Sequence, residues 1–325
     1  MSATRIETDP SNTLCTACQV LNLSTSRFSS APFEEKRMHQ WGTYKDVANR
    51  ISCPLCQLIY QLFLKGPTPQ RTQLDDRKVQ GTWMQICNGS SDACLVFWLT
   101  EVDYIKKTRL TLRPLRGVEA PGLGSGRLIN SPFIDVASMK DWLYRCETIH
   151  SCGRHNPSLK GLPATFKVID VQSRCIVEAS ENCRYLALSY VWGGGPKFQM
   201  DSSNIAALSR PGGLNEAWNT LSATITDAML LTERLGERYL WVDSLCIRQD
   251  GKEEAKEAFQ VMDLVYQQAF VVLCAAGDGQ GLAGVTKPRT PEQCVAEVLP
   301  GLKLMGEFSF YSYVDMSIYH TRGWT

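Results

Sequence analysis

Apolar positions in the second half of the chain alternate between two rhythms. Residues 185–191 form a strongly apolar run that predicts a buried strand. From about Ser222 to Leu235 the spacing becomes helical, with Ile225, Ala228 or Met229, and Leu235 facing inward and Gly236 as terminator. Residues 239–245 read as a second strand and 252–268 as a helix with Phe259, Met262 and Tyr266 on one stripe. Residues 270–276 read as a third strand, followed by a glycine-rich loop at 277–284. Strand, helix, strand, helix, strand predicts right-handed crossovers and a parallel sheet. The loops 192–201, 243–250 and 277–284 should then share the edge where such sheets bind ligands. A β-hairpin over 166–171 and 174–179 is expected to lead into this sheet.

The first half is patterned differently. An apolar helical run through Leu58, Ile59, Leu62 and Phe63 should end at Pro67 and Pro69. Short strand-like runs follow at 83–87, 95–99 and 109–113, with Asn88-Gly89 as a hairpin signal whose loop extends as far as Asp92 in one reading. Residues 117–126 are rich in glycine and proline and read as a linker. Ser138 looks like an N-cap with Asp141 three residues on, placing Trp142, Cys146 and Ile149 on one helix face.

Composition narrows the function classes. The chain has 325 residues, 44% hydrophobic and 21% charged, with a net charge of +1, which is ordinary globular composition. A near-neutral balance argues against a broad grip on nucleic acid or anionic lipid. Met1 to Pro10 is polar and lacks the apolar core of a secretory signal, and residues 264–276 are too short and too interrupted by Gln267 and Gln268 to span a bilayer. The expectation is a soluble, cytoplasmic protein. Thirteen cysteines, an odd number, then read as buried thiols and metal ligands rather than a disulfide framework.

Candidate chemistry concentrates in three places. In the first loop, Ser189, Tyr190 and Trp192 precede Gly193, Gly194 and Gly195, whose backbone N–H groups could meet an anion or simply form a flexible turn. In the second, Asp243 ends a buried strand, with Arg248, Gln249 and Asp250 beyond it. Asp243 either caps a turn, pairs with Arg248 or serves the site; Cys246 reads as a buried thiol in preference to a nucleophile. The third is Cys15-x-x-Cys18 with Cys53-x-x-Cys56, four thiolates suited to a structural zinc ion. Cys146, His150, Cys152 and His155 form a weaker cluster.

YLALSYVWG at 185–193 and YLWVDSLCIRQD at 239–250 resemble the first two motifs of the fungal heterokaryon-incompatibility (HET) domain, and RGWT at 322–325 resembles the start of the third. Leu162-Pro163, the stretch Ile169-Asp170-Val171, and the segment with Met262, Tyr266 and Ala269 also fit, so the resemblance covers about 142–325. It implies a protein of self/non-self recognition that triggers or regulates programmed cell death, through other incompatibility or signalling proteins or by self-association. HET domains are thought to be distantly similar to Toll/interleukin-1-receptor (TIR) domains, some of which cleave NAD with a glutamate that follows a tryptophan-containing segment. The third HET motif normally continues with Leu-Gln-Glu, and the sequence ends before it. The resemblance thus leaves three readings: a death effector acting by association, an NAD hydrolase with Asp243 and Asp250 as candidate catalytic carboxylates, and a degenerate, inactive HET protein. Ser189, Tyr190, Trp192, Gly193, Gly194, Asp243, Gln249, Asp250, Arg322 and Trp324 are the expected ligand contacts. The expected architecture is a parallel-sheet, three-layer TIR/flavodoxin-like domain over 127–325. A cysteine-rich helical segment (1–65) and a small β region with linker (66–126) precede it.

Overall fold

The computed structural model describes residues 13–28, 38–66, 75–85, 93–100, 109–115, 126, 128–149, 159–192, 198–277, 280–289, 293–308, 317 and 319, and the backbone of 4–6. In chain order the elements are β1 (Thr4–Ile6), α1 (Thr16–Gln19), β2 (His39–Thr43), α2 (Tyr44–Asn49), α3 (Pro54–Lys65), β3 (Lys78–Gln85), β4 (Ala93–Leu99), β5 (Leu110–Pro114), α4 (Val136–Thr148), β6 (Lys167–Asp170), β7 (Cys175–Glu178) and β8 (Tyr185–Tyr190). There follow α5 (Ile205–Leu208), α6 (Gly213–Glu216), α7 (Ala223–Leu235), β9 (Tyr239–Trp241), α8 (Asp243–Cys246), α9 (Lys252–Gln260), α10 (Met262–Gln268), β10 (Val271–Ala275), β11 (Cys294–Leu299) and β12 (Leu302–Phe308). They form two compact units. One comprises Met1–Pro132 and Thr290–Met316, the other Phe133–Arg289 and Ser317–Thr325. Among the described residues no helix is long and apolar enough to cross a membrane.

The first unit is built on a seven-stranded sheet in the order β1-β11-β12-β5-β4-β3-β2, antiparallel except for the β1–β11 pair. The cysteine-rich helices and the small β region therefore share one sheet, completed by β11 and β12 from far along the chain. Helix α3 begins with Pro54, pre-set for a helix start. It buries Leu58, Ile59, Leu62 and Phe63, the run read from the sequence, together with Leu55. Each such side chain contributes about 1.5–3 kcal/mol on burial. Gly306 of β12 lets α3 approach, since a side chain there would collide with Leu62 and Leu112. The turn at Asn88-Gly89, Pro67, Pro69 and nearly all of the 117–126 linker lie outside the described residues.

The second unit carries a five-stranded sheet in the order β10-β8-β9-β6-β7. Strand β8 lies parallel to both β10 and β9, and all six of its residues are buried. The β6–β7 hairpin joins antiparallel beside β9, with β7 at the edge, so the sheet is mixed rather than wholly parallel. Helix α7 starts where Ser222 Oγ accepts the Ile225 N–H and stops at Gly236, which adopts a left-handed φ of 89°.

Three local expectations need correction. The second strand ends at Trp241, and Asp243–Cys246 turn into one helical turn, because aspartate is disfavoured in strands and suited to a helix start. The helix over 252–268 is broken at Val261 (φ −114°, ψ 17°). Met262 and Val265 are buried whereas Phe259 stays 51% exposed. Helix α4 is capped by Asp135, three residues before Ser138, whose N–H and hydroxyl it accepts. Val136, Met139 and Leu143 face the core, while Trp142 and Ile149 are exposed.

Candidate functional site at the strand ends

Because β8 runs parallel to β9 and β10, the carboxyl ends of these three strands lie on one edge. Chain order and spatial order together locate a switch point there. The crossover from β8 runs to β9, and the one from β9 returns past β8 to β10. The two connections thus leave the adjacent ends of β8 and β9 in opposite directions along the sheet, the arrangement at which doubly wound sheets bind ligands.

The described parts of the two loops are bonded together at that place. Trp192 Nε1, just beyond β8, donates to Asp243 Oδ2 just beyond β9 at 3.0 Å. The Ser244 N–H donates to Asp243 Oδ1 at 2.8 Å, so both oxygens of this buried carboxylate are engaged. Tyr190 donates its phenol to Ser244 Oγ at 2.9 Å. Met200 N–H donates to the Ser244 carbonyl and Gln249 N–H to the Met200 carbonyl, each at 2.9 Å, stitching the loops backbone to backbone. The Gln249 amide donates to the carbonyls of Asp243 and Ile247 at 3.1 and 2.8 Å. At the exposed rim Asp250 accepts from the Ser202 hydroxyl and N–H, bonds that hold its carboxyl below the usual range. Arg248 pairs with Glu254 at 3.0 Å rather than with Asp243.

Ser189, Tyr190, Trp192, Asp243, Gln249 and Asp250 thus lie at or just beyond the carboxyl ends of β8 and β9, where hydrogen bonds join the two loops. Gly193, Gly194, Gly195, Arg322 and Trp324 lie outside the described residues. Tyr319, not singled out from the sequence, places its hydroxyl 2.7 Å from Ser189 Oγ and donates to Cys274 Sγ at 3.6 Å. Its one sequence signal is its position three residues before Arg322. The third loop is anchored elsewhere. Asp227 of α7, buried and also unforeseen, accepts from the Leu282 N–H and the Thr286 hydroxyl at 2.8 and 2.7 Å. Cys246 is a buried thiol pushed up to about 12 by burial, with the Val242 N–H donating to it. Its position is that of a packing residue. A separate recess is lined by Phe166, Lys167, Trp241, Glu254 and Val265.

The first unit holds a separate cluster. The sulfurs of Cys15, Cys18, Cys53 and Cys56 lie within 4.8 Å of one another and could hold a metal ion. The Cys18–Cys56, Cys15–Cys56 and Cys18–Cys53 separations are 3.5, 3.6 and 3.7 Å. Hydrogen bonding among these thiols raises the Cys18 pKa and lowers that of Cys53. Of the weaker cluster only Cys146 is described, half-buried on α4; His150, Cys152 and His155 lie outside the described residues.

The molecule therefore combines an α/β unit, whose mixed sheet carries a hydrogen-bonded tryptophan–aspartate pair at its switch point, with a largely antiparallel unit holding four clustered thiols. Residues 185–325 match the family described as heterokaryon incompatibility protein (HET), so this part of the chain carries a HET domain. The matched span contains β8, the Trp192–Asp243 pair and the β11–β12 hairpin. No curated protein and no solved structure gives a significant match.

Proposed function

We propose that this protein acts in fungal heterokaryon incompatibility, triggering or regulating programmed cell death from the cytoplasm through a strand-end cleft centred on Trp192 and Asp243. The observation that carries the reading is the hydrogen bond between the first two HET motifs. A tryptophan N–H and a buried carboxylate from separate loops meet at the sheet's switch point, where structural economy alone would leave apolar contacts. The cleft acts by association, engaging another incompatibility or signalling protein or a second copy. Both Asp243 oxygens are already satisfied, so this carboxylate serves to fix the shape of the cleft.

A second reading is a TIR-like nucleotide hydrolase. It is favoured by the strand order, which fits a doubly wound, three-layer arrangement, and by the exposed, ionised Asp250 at the cleft rim. Cleaving the nicotinamide–ribose bond builds positive charge on the sugar, which a nearby carboxylate can stabilise. Expression of the wild type and of Asp243→Asn in a fungal host separates these ideas. Association predicts killing by the wild type, its loss in a folded Asp243→Asn protein, and little or no NAD consumption by purified protein in chromatographic assays. Saturable NAD cleavage abolished by Asp250→Asn would establish the hydrolase instead. Killing retained by a folded Asp243→Asn variant would remove the cleft from either account.

A further inference from the structure

The four-thiol cluster is independent of the strand-end cleft, and its geometry identifies an occupant. Both Cys-x-x-Cys pairs occupy the same helical positions. Cys15 and Cys53 are the N-cap residues of α1 and α3, and Cys18 and Cys56 stand three residues on. These are the positions that a capping box brings together, as Thr43 and Asp46 show at the start of α2. Neither N-cap cysteine makes a side-chain capping bond; Cys15 Sγ lies against Cys56 and Cys53 Sγ against Cys18, so each pair meets the other. A tetrahedral ion with metal–sulfur bonds of about 2.3 Å requires sulfur–sulfur edges of about 3.8 Å. The observed separations of 3.5–3.7 Å come close to that edge and are far from the ~2.0 Å of a disulfide. With all four sulfurs inside 4.8 Å there is room for one ion and none for bridging sulfide.

The surroundings suit a negatively charged centre. Trp41 of β2, itself buried, donates Nε1–H to Cys18 Sγ at 3.3 Å. The Arg50 guanidinium reaches Cys56 Sγ at 4.0 Å. The twelve-residue helix α3 directs its amino-terminal dipole toward the same sulfurs. Thiols that merely pack as small apolar groups gain nothing from an indole N–H and a guanidinium aimed at sulfur.

We propose that Cys15, Cys18, Cys53 and Cys56 bind one structural zinc ion, with Trp41 and Arg50 donating hydrogen bonds to its thiolate ligands. Four thiolates close the coordination sphere and leave no open position for substrate, so the ion is structural. It ties α1, which at four residues is too short to persist alone, to α3 and β2.

Elemental analysis of the full chain, purified without a metal-affinity step, should find one zinc per chain. Titration with an organomercurial should release that zinc as four thiols react. Cobalt replacement should give the charge-transfer and visible bands of a tetrahedral four-thiolate set. Cys18→Ser should lose the ion while Cys175→Ser, a buried thiol of β7, keeps it. If Cys18→Ser does not fold, the wild-type release titration decides alone. Trp41→Phe should keep the stoichiometry but weaken zinc on the order of 10-fold in chelator competition. Folded wild type free of zinc, iron in its place, or zinc undisturbed in Cys18→Ser would overturn the site. Unchanged affinity in Trp41→Phe would overturn the role given to that indole.

Discussion

Asp170, Asp227 and Asp243 are all buried in the α/β unit, and their partners separate their roles. Asp170 sits opposite Tyr239 at the amino end of β9, the edge away from Trp192 and Asp243. It accepts from the Gln172 and Ser173 N–H groups, the Ser173 hydroxyl and the Arg238 guanidinium. Burial works against its charge, yet Arg238 and Ser173 outweigh burial and hold its carboxyl below the usual range. A lowered folded-state pKa contributes stability above the unfolded value, about 3.9, and that contribution is lost as pH falls through the folded value. Asp170→Asn should therefore lower unfolding free energy by about 2 kcal/mol at neutral pH, with the difference shrinking in strong acid. Urea titrations at several pH values read both. Asp243 lies at the opposite edge, against Trp192 and Ser244. Asp243→Ala should destabilise by about 3 kcal/mol, leaving two donors without that acceptor. Trp192→Phe, which keeps most of the ring contact, should lose only about 1 kcal/mol. Equal losses would show that the shared Trp192–Asp243 hydrogen bond carries nearly all of the energy and that the Ser244 N–H adds little.

Elements with two matched ends form as their local sequence dictates. Helix α7 has Ser222 at its start, Gly236 at its end and a buried stripe between them. Since a β-carbon disfavours the left-handed conformation at Gly236, Gly236→Ala should destabilise by about 1 kcal/mol, seen as a lower urea midpoint at unchanged slope. The segments 252–260 and 262–268 lack such agreement. A single helix would put Phe259 beside Met262 on one stripe. The break at Val261 instead lets Ala255 and Ala258 rest on the core from one half and Met262 and Val265 from the other. In α4 two good caps compete, Asp135 and Ser138. The earlier one prevails because it turns Val136, Met139 and Leu143 toward the core.

At the scale of the molecule, each unit owns its core: among the described residues one includes Cys18, Trp41 and Phe63, and the other is built around β8. Under the zinc assignment, a chelator should lower one calorimetric unfolding transition, whereas Gly236→Ala should lower the other. A single transition moved equally by both treatments would mean that the units unfold as one.

The alternation of apolar rhythms, the terminator Gly236 and the paired Cys-x-x-Cys spacing are local features, and from these the sequence by itself determined the β8–α7–β9–β10 succession, the stripe of α3 and the four metal-competent thiols. The HET resemblance was legible for the same reason, since its motifs are contiguous runs. What only the tertiary structure decided depends on contacts distant in sequence. β12 pairs with β5 across 190 positions, Leu304 opposite Pro114. Tyr319 reaches Ser189 across 130 positions, and Asp227 anchors a loop 55 positions away. Whether Asp243 would meet Arg248 or Trp192 was equally undetermined by spacing. A short-range pattern records which face a residue prefers, but a buried carboxylate takes whichever donor the assembled backbone brings to it, and that choice is made only when the loops after β8 and β9 pack together.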